Sequence, residues 1–133
     1  MQDAAVNVLS WNATADCVLV DAPCSGLGVL RRRAEARWNK SEENLKEFPP
    51  LQKTILANAA RYVKPDGRLV YSTCTLETAE NSEVVRAFLD SNNDFELVEF
   101  AHPKTGIMIK ELQILPQNDG IDGFYISALR RKA

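Results

Sequence analysis

The chain has 133 residues, of which 45% are hydrophobic and 26% charged, with 16 Lys and Arg against 18 Asp and Glu. That length suits one domain with a modest core, and no apolar run approaches the ~20 residues needed to span a bilayer. The start, Met-Gln-Asp-Ala-Ala, lacks a secretory pattern, so a cytoplasmic location is the simplest expectation; a formal net charge of −2 confines any nucleic-acid binding to a local patch.

Asp16 to Asp21 reads Asp-Cys-Val-Leu-Val-Asp, a continuous apolar run that predicts a strand buried on both faces of a parallel sheet. Ala-Pro-Cys-Ser-Gly-Leu-Gly follows, and its proline and glycines place a loop at the carboxyl end of that strand. Arg31, Arg32, Arg33, Arg37 and Lys40 then cluster around Trp38, the one basic patch of any size. A solvated surface segment is the commoner explanation of such a cluster taken alone.

Ser41 is a good N-cap for a helical stretch running to Val63, which the pair Pro49-Pro50 is expected to split. Its second piece sets Leu51, Ile55, Ala59 and Tyr62 on one side. Lys64-Pro65-Asp66-Gly67 carries turn chemistry, and Arg68 to Thr73 is a second strand leading directly into Cys74. Glu77 to Ser91 predicts another helix, Phe95 to Phe100 a third strand and Phe124 to Leu129 a fourth, after turns at Gly120 and Asp122-Gly123. This order implies an α/β fold with right-handed parallel crossovers and a closing antiparallel edge. Nothing ahead of Asp16 resembles a strand that would cover the open side of Val18 to Val20. The chain therefore reads as half of a larger sheet, and a homodimer through that exposed edge is one expected way of covering it.

The three cysteines, Cys17, Cys24 and Cys74, are odd in number and widely spaced, and no cysteine-histidine cluster accompanies them. Neither a disulfide framework nor a metal site is expected. His102, the only histidine, lies beside Pro103 in a loop and is a poor ligand or base. In open α/β sheets, ligands bind beyond the carboxyl ends of the strands. Cys24 and Cys74 both fall there, with Asp21 at the end of the first strand. Singly, each cysteine is more often a small buried apolar residue; as a pair at two strand ends they point to chemistry. Cys17, in mid-strand, is assigned a structural role.

Asp21-Ala22-Pro23-Cys24-Ser25-Gly26, then Leu27-Gly28, and Tyr71-Ser72-Thr73-Cys74-Thr75 resemble the fourth and sixth motifs of the Sun-family RNA cytosine-5 methyltransferases, most closely the RsmB type acting on small-subunit ribosomal RNA. Arg31 to Asn39, Leu51-Gln52, Val63 to Gly67, Glu80-Asn81 and Leu115-Pro116 through Asp122-Gly123-Phe124 agree in the same order. The resemblance implies the C-terminal half of a Rossmann-like fold that uses S-adenosyl-L-methionine, with a mostly parallel sheet and an antiparallel last strand. It implies that Cys74 is the nucleophile that adds to carbon 6 of cytosine. Cys24 would assist loss of the carbon-5 proton and release of the product. Asp21 would lie near both cofactor and base, and Asp3 near the adenine. Arg31, Arg32, Arg33 and Arg37 would contact RNA phosphates. The family's glycine-rich first motif, its ribose-binding acidic residue and its RNA-binding N-terminal region have no counterpart in this sequence, so the chain alone is expected to bind the cofactor weakly and to be inactive. Thr78-Ala79 departs from the family's Pro-Glu. A non-catalytic RNA-binding or assembly module is the rival expectation, and retention of both cysteines weighs against it.

Overall fold

The computed structural model describes residues 3–33 and 41–133. Strand β1 (Ala15–Asp21) leads to helix α1 (Glu42–Tyr62), strand β2 (Val63–Thr73), helix α2 (Ser82–Ser91) and strand β3 (Phe95–Leu97). The short strands β4 (Phe100–Ala101), β5 (Met108–Ile109) and β6 (Glu111–Ile114), a one-turn helix α3 (Pro116–Asp119) and strand β7 (Phe124–Arg131) complete the chain.

The sheet is mixed. β1 and β2 run parallel, with Val18 opposite Leu69 and Asp21 opposite Ser72. β7 runs antiparallel to β2 on one side. On its other side it pairs with β3 through Phe95 to Leu97 and with β6 through Glu111 to Ile114. The last strand is antiparallel, but it is inserted into the sheet rather than closing its edge. Its apolar run can be buried on both sides only there, and Leu129 has no exposed surface.

Side chains alternate across each strand. Val18, Val20, Leu69, Tyr71 and Leu129 point toward the helices and pack with Leu56, Val63, Val84, Val85 and Phe88. On the opposite face Leu19 is 67% exposed and Cys17 is exposed, so among the described residues β1 is covered on one face only, not on both. Its edge away from β2 has no partner strand among them. No described helix is long and apolar enough to cross a membrane.

Three further expectations are corrected. Helix α1 runs unbroken through Pro49 and Pro50, starting from Ser41, whose Oγ accepts from the Asn44 amide at 3.2 Å. The carbonyls that lose donors belong to Leu45 and Lys46, which line an open, solvent-accessible groove. Its buried stripe is Gln52, Ile55, Leu56 and Ala59, while Leu51 faces solvent. The helix expected from Glu77 breaks into a 3-10 turn (Thr78–Glu80) and α2, with Asn81 between them in a non-helical conformation. The third strand stops at Leu97, and β6 joins the sheet where no strand was expected.

Candidate active site

Because β1 and β2 are parallel neighbours, the loops that leave them start side by side. The ladder extends past β1 through the Ala22 amide, which donates to the Ser72 carbonyl at 2.9 Å. Cys24 and Cys74, 50 residues apart in sequence, thereby reach an Sγ–Sγ distance of 3.2 Å. The Gly28 amide donates to the Cys74 carbonyl at 3.0 Å, and the Gly123 amide to the Gly28 carbonyl at 2.8 Å. A Cβ on Gly28 would stand 2.3 Å from the Gly123 carbonyl oxygen, so only glycine allows the loops to approach this closely.

Buried polar side chains tie the loops further. The Ser25 and Thr75 hydroxyls lie 2.7 Å apart. Glu80 accepts from the Ser25 amide and from Gln52 Nε2, each at 2.9 Å. Asn81 accepts from the Thr73 hydroxyl and donates to the Thr75 carbonyl at 3.1 Å. Gln52, Ser25, Thr75 and the function of Glu80 and Asn81 were not anticipated from the residues. A glutamine on the apolar stripe of α1 was the available signal, since a polar group buried among apolar neighbours needs partners.

The two thiols are unequal. The hydrogen bond from Cys24 lowers the Cys74 pKa to about 7, against opposing effects of burial and of the Asp21 charge, while Arg33 lowers it further. Cys24 is shifted upward by its hydrogen bond with Cys74 and then by its own burial. The shifts favour thiolate on Cys74 over Cys24 near neutral pH.

A cleft of about 480 Å³ opens over the thiols, lined by Asp21, Cys24, Arg33, Phe48 and Cys74 among others. A second, largely apolar cleft of about 290 Å³ runs along β1, with Asp3 and Asp21 contributing to its wall beside Trp11, Leu19 and Ile55. Asp21 belongs to both, and its Oδ1 accepts from the Ser72 hydroxyl at 3.2 Å.

The family described as 16S rRNA methyltransferase RsmB/F matches residues 2–130. The chain belongs to this family. In Bacillus subtilis strain 168, the "Probable ribosomal RNA small subunit methyltransferase B" is 41% identical over 127 residues, covering 91% of this chain and 28% of the relative. The "Ribosomal RNA small subunit methyltransferase B" of Vibrio cholerae is 37% identical over 117 residues, 88% of this chain and 26% of the relative. This chain therefore spans little more than a quarter of such relatives. The crystal structure of PH0851 superposes with a TM-score of 0.83 at 36% identity, over 90% of this chain and 27% of that one. The crystal structure of NSun6 from Pyrococcus horikoshii with SFG gives 0.70 at 28% identity, over 86% of this chain and 29% of that one.

Within this RsmB/F chain the expected basic residues divide. Arg31 and Arg32 both pair with Asp122, at 2.9 and 2.8 Å, and remain largely exposed. Their shared partner Asp122 is only 14% exposed, so the guanidinium groups face solvent around a largely covered carboxylate. Arg33 borders the cleft over the thiols. Arg37, with Trp38 and Lys40, lies outside the described residues. Among the described residues no group of acidic, cysteine and histidine side chains is arranged to hold a metal ion.

Proposed function

We propose that this chain carries the covalent half of an enzyme that methylates carbon 5 of a cytosine in small-subunit ribosomal RNA. The observation that carries the reading is the meeting of a low-pKa Cys74 with Cys24 at 3.2 Å, under a cleft that also holds Asp21 and Arg33. The names of the relatives support a ribosomal RNA substrate. SFG, an analogue of S-adenosylmethionine, supports that cofactor. The cleft along β1 fits it, because apolar walls suit an adenine ring and Asp3 and Asp21 offer acceptors for its amine and hydroxyl groups.

Carbon 5 of cytosine is a weak nucleophile. The Cys74 thiolate adds to carbon 6, and the new S–C bond turns carbon 5 into an enamine-like carbon. S-adenosylmethionine, when bound, supplies the electrophilic methyl group for that carbon. Cys24 assists loss of the carbon-5 proton to solvent; the electron pair of that C–H bond re-forms the ring double bond and expels Cys74 as thiolate. Asp21, shared by the two clefts, orients the polar edge of the base. Arg31, Arg32, Arg33 and Arg37 hold RNA phosphates, the first two by exchanging Asp122 for phosphate.

RNA bearing 5-fluorocytosine tests this with S-adenosylmethionine and the protein at the length of its relatives, since fluorine blocks the final elimination and traps the adduct. The adduct is expected to disappear with Cys74→Ser and to persist with Cys24→Ser. Loss only with Cys24→Ser would reverse the two roles, and no adduct with any RNA would favour a module that only binds.

A further inference from the structure

We infer that Glu80 is a positioning residue, whose carboxyl group clamps the Cys24 loop against the Cys74 loop and so sets the spacing of the two thiols. The inference rests on the two-thiol reading of the site. Glu80 is 1% exposed, and a carboxyl group is buried at a cost that only good hydrogen bonds offset. Here those bonds go to the flanks of the cysteines. Oε2 accepts from the amide of Ser25, the residue after Cys24, and from Gln52 Nε2, which also donates to the carbonyl of Pro23, the residue before it, at 3.0 Å. Oε1 faces the hydroxyl of Thr75, the residue after Cys74, at 3.5 Å, and that hydroxyl meets Ser25 Oγ at 2.7 Å. Cys24 is thus held on both sides, by Glu80 and the Gln52 it binds, and Cys74 on one.

The clamp is itself anchored from the core. The Tyr71 hydroxyl donates to the Glu80 carbonyl at 2.7 Å, and the 3-10 turn closes with the Glu80 amide on the Glu77 carbonyl at 3.1 Å. The break at Asn81 is what turns both Glu80 and Asn81 toward the strand ends; a continuous helix from Glu77 would not present two successive side chains to one site. No described hydrogen bond joins Glu80 to either sulfur, so it acts through the loops. Its effect reaches Cys74 because the hydrogen bond from Cys24 is the largest influence lowering that thiol's pKa.

Alkylation of the 133-residue chain by iodoacetamide across pH, resolved to individual cysteines by peptide mass spectrometry, reads this spacing directly. The wild-type Cys74 midpoint is expected near 7. In Glu80→Ala it is expected to climb toward the ~8.5 of an ordinary thiol, with alkylation at neutral pH roughly tenfold slower. Glu80→Gln is expected to restore the wild-type profile, because both short bonds reach one oxygen, which an amide oxygen can replace. A wild-type midpoint in folded Glu80→Ala, or a Glu80→Gln profile displaced as far as that of Glu80→Ala, would overturn the clamp. Should circular dichroism show Glu80→Ala unfolded, Gln52→Ala cuts the same clamp at its second donor. A smaller upward move supports the inference there, and no move overturns it. The assay uses no RNA, so its failure is distinguishable from failure of the 5-fluorocytosine adduct.

Discussion

The corner that holds Cys24 and Cys74 and the cleft that runs along β1 share Asp21, yet they are built on opposite principles. In the corner, Ser25, Thr75, Glu80 and Asn81 are buried and hydrogen-bonded to one another or to the cysteine loops. A buried hydrogen-bonded network in a low-dielectric interior permits few geometries, because each displaced member leaves a costly unpaired group. Along the cleft, Leu19 and Trp11 are exposed apolar side chains, and Asp3 and Asp21 are exposed. Apolar contact is non-directional and specifies much less. The corner is therefore held in one geometry by this chain's own residues, whereas the cleft along β1 is an open, largely apolar surface.

The contrast can be broken at Gly28. An alanine there would drive its Cβ into the Gly123 carbonyl and to 2.9 Å from that of Cys74. Gly28→Ala is expected to cost about 3 kcal/mol, lowering the melting temperature by roughly 10 °C in calorimetry. A melting temperature within a degree or two of wild type would mean the loops are held less tightly than described.

A milder perturbation separates the thiols electrostatically. Cys24→Ala removes the hydrogen bond that lowers the Cys74 pKa. A lowered pKa means thiolate is present above about 7 and lost as pH falls through it, so removing its cause moves that loss to higher pH. The alkylation midpoint of Cys74 is expected to rise by about a unit or more toward the free-thiol value. An unchanged midpoint would assign the low value to Arg33 or to the backbone instead.

The smallest effect belongs to the cleft. Leu19 is exposed on the uncovered face of β1, and Leu19→Ser is expected to change stability by no more than about 0.5 kcal/mol in urea unfolding. A loss comparable to that of Gly28→Ala would show that this face is covered in solution.

Much of this arrangement followed from local pattern. The apolar run Val18 to Val20, the N-cap at Ser41 and the turn residues around Cys24 each determine their own segment, because backbone preference and side-chain periodicity act over a few residues. Two thiols at the ends of successive strands were visible in the same way, since a parallel crossover brings such ends to one rim. Pro49-Pro50 misled, because packing of the Gln52, Ile55, Leu56 and Ala59 stripe outweighs two lost hydrogen bonds beside an open groove.

What tertiary structure alone decided is of another kind. The insertion of β7 between β2 and β3 depends on which long-range pairing buries Leu129 and Tyr125 best. The reach of Arg31 and Arg32 to Asp122, and of Glu80 to Ser25, joins residues far apart along the chain. Which chemical groups are present, and on which strand ends they stand, was readable along the chain. Their distances, their partners and the inequality of the two cysteines come from the fold, because hydrogen bonding and burial act through space and are indifferent to separation along the chain.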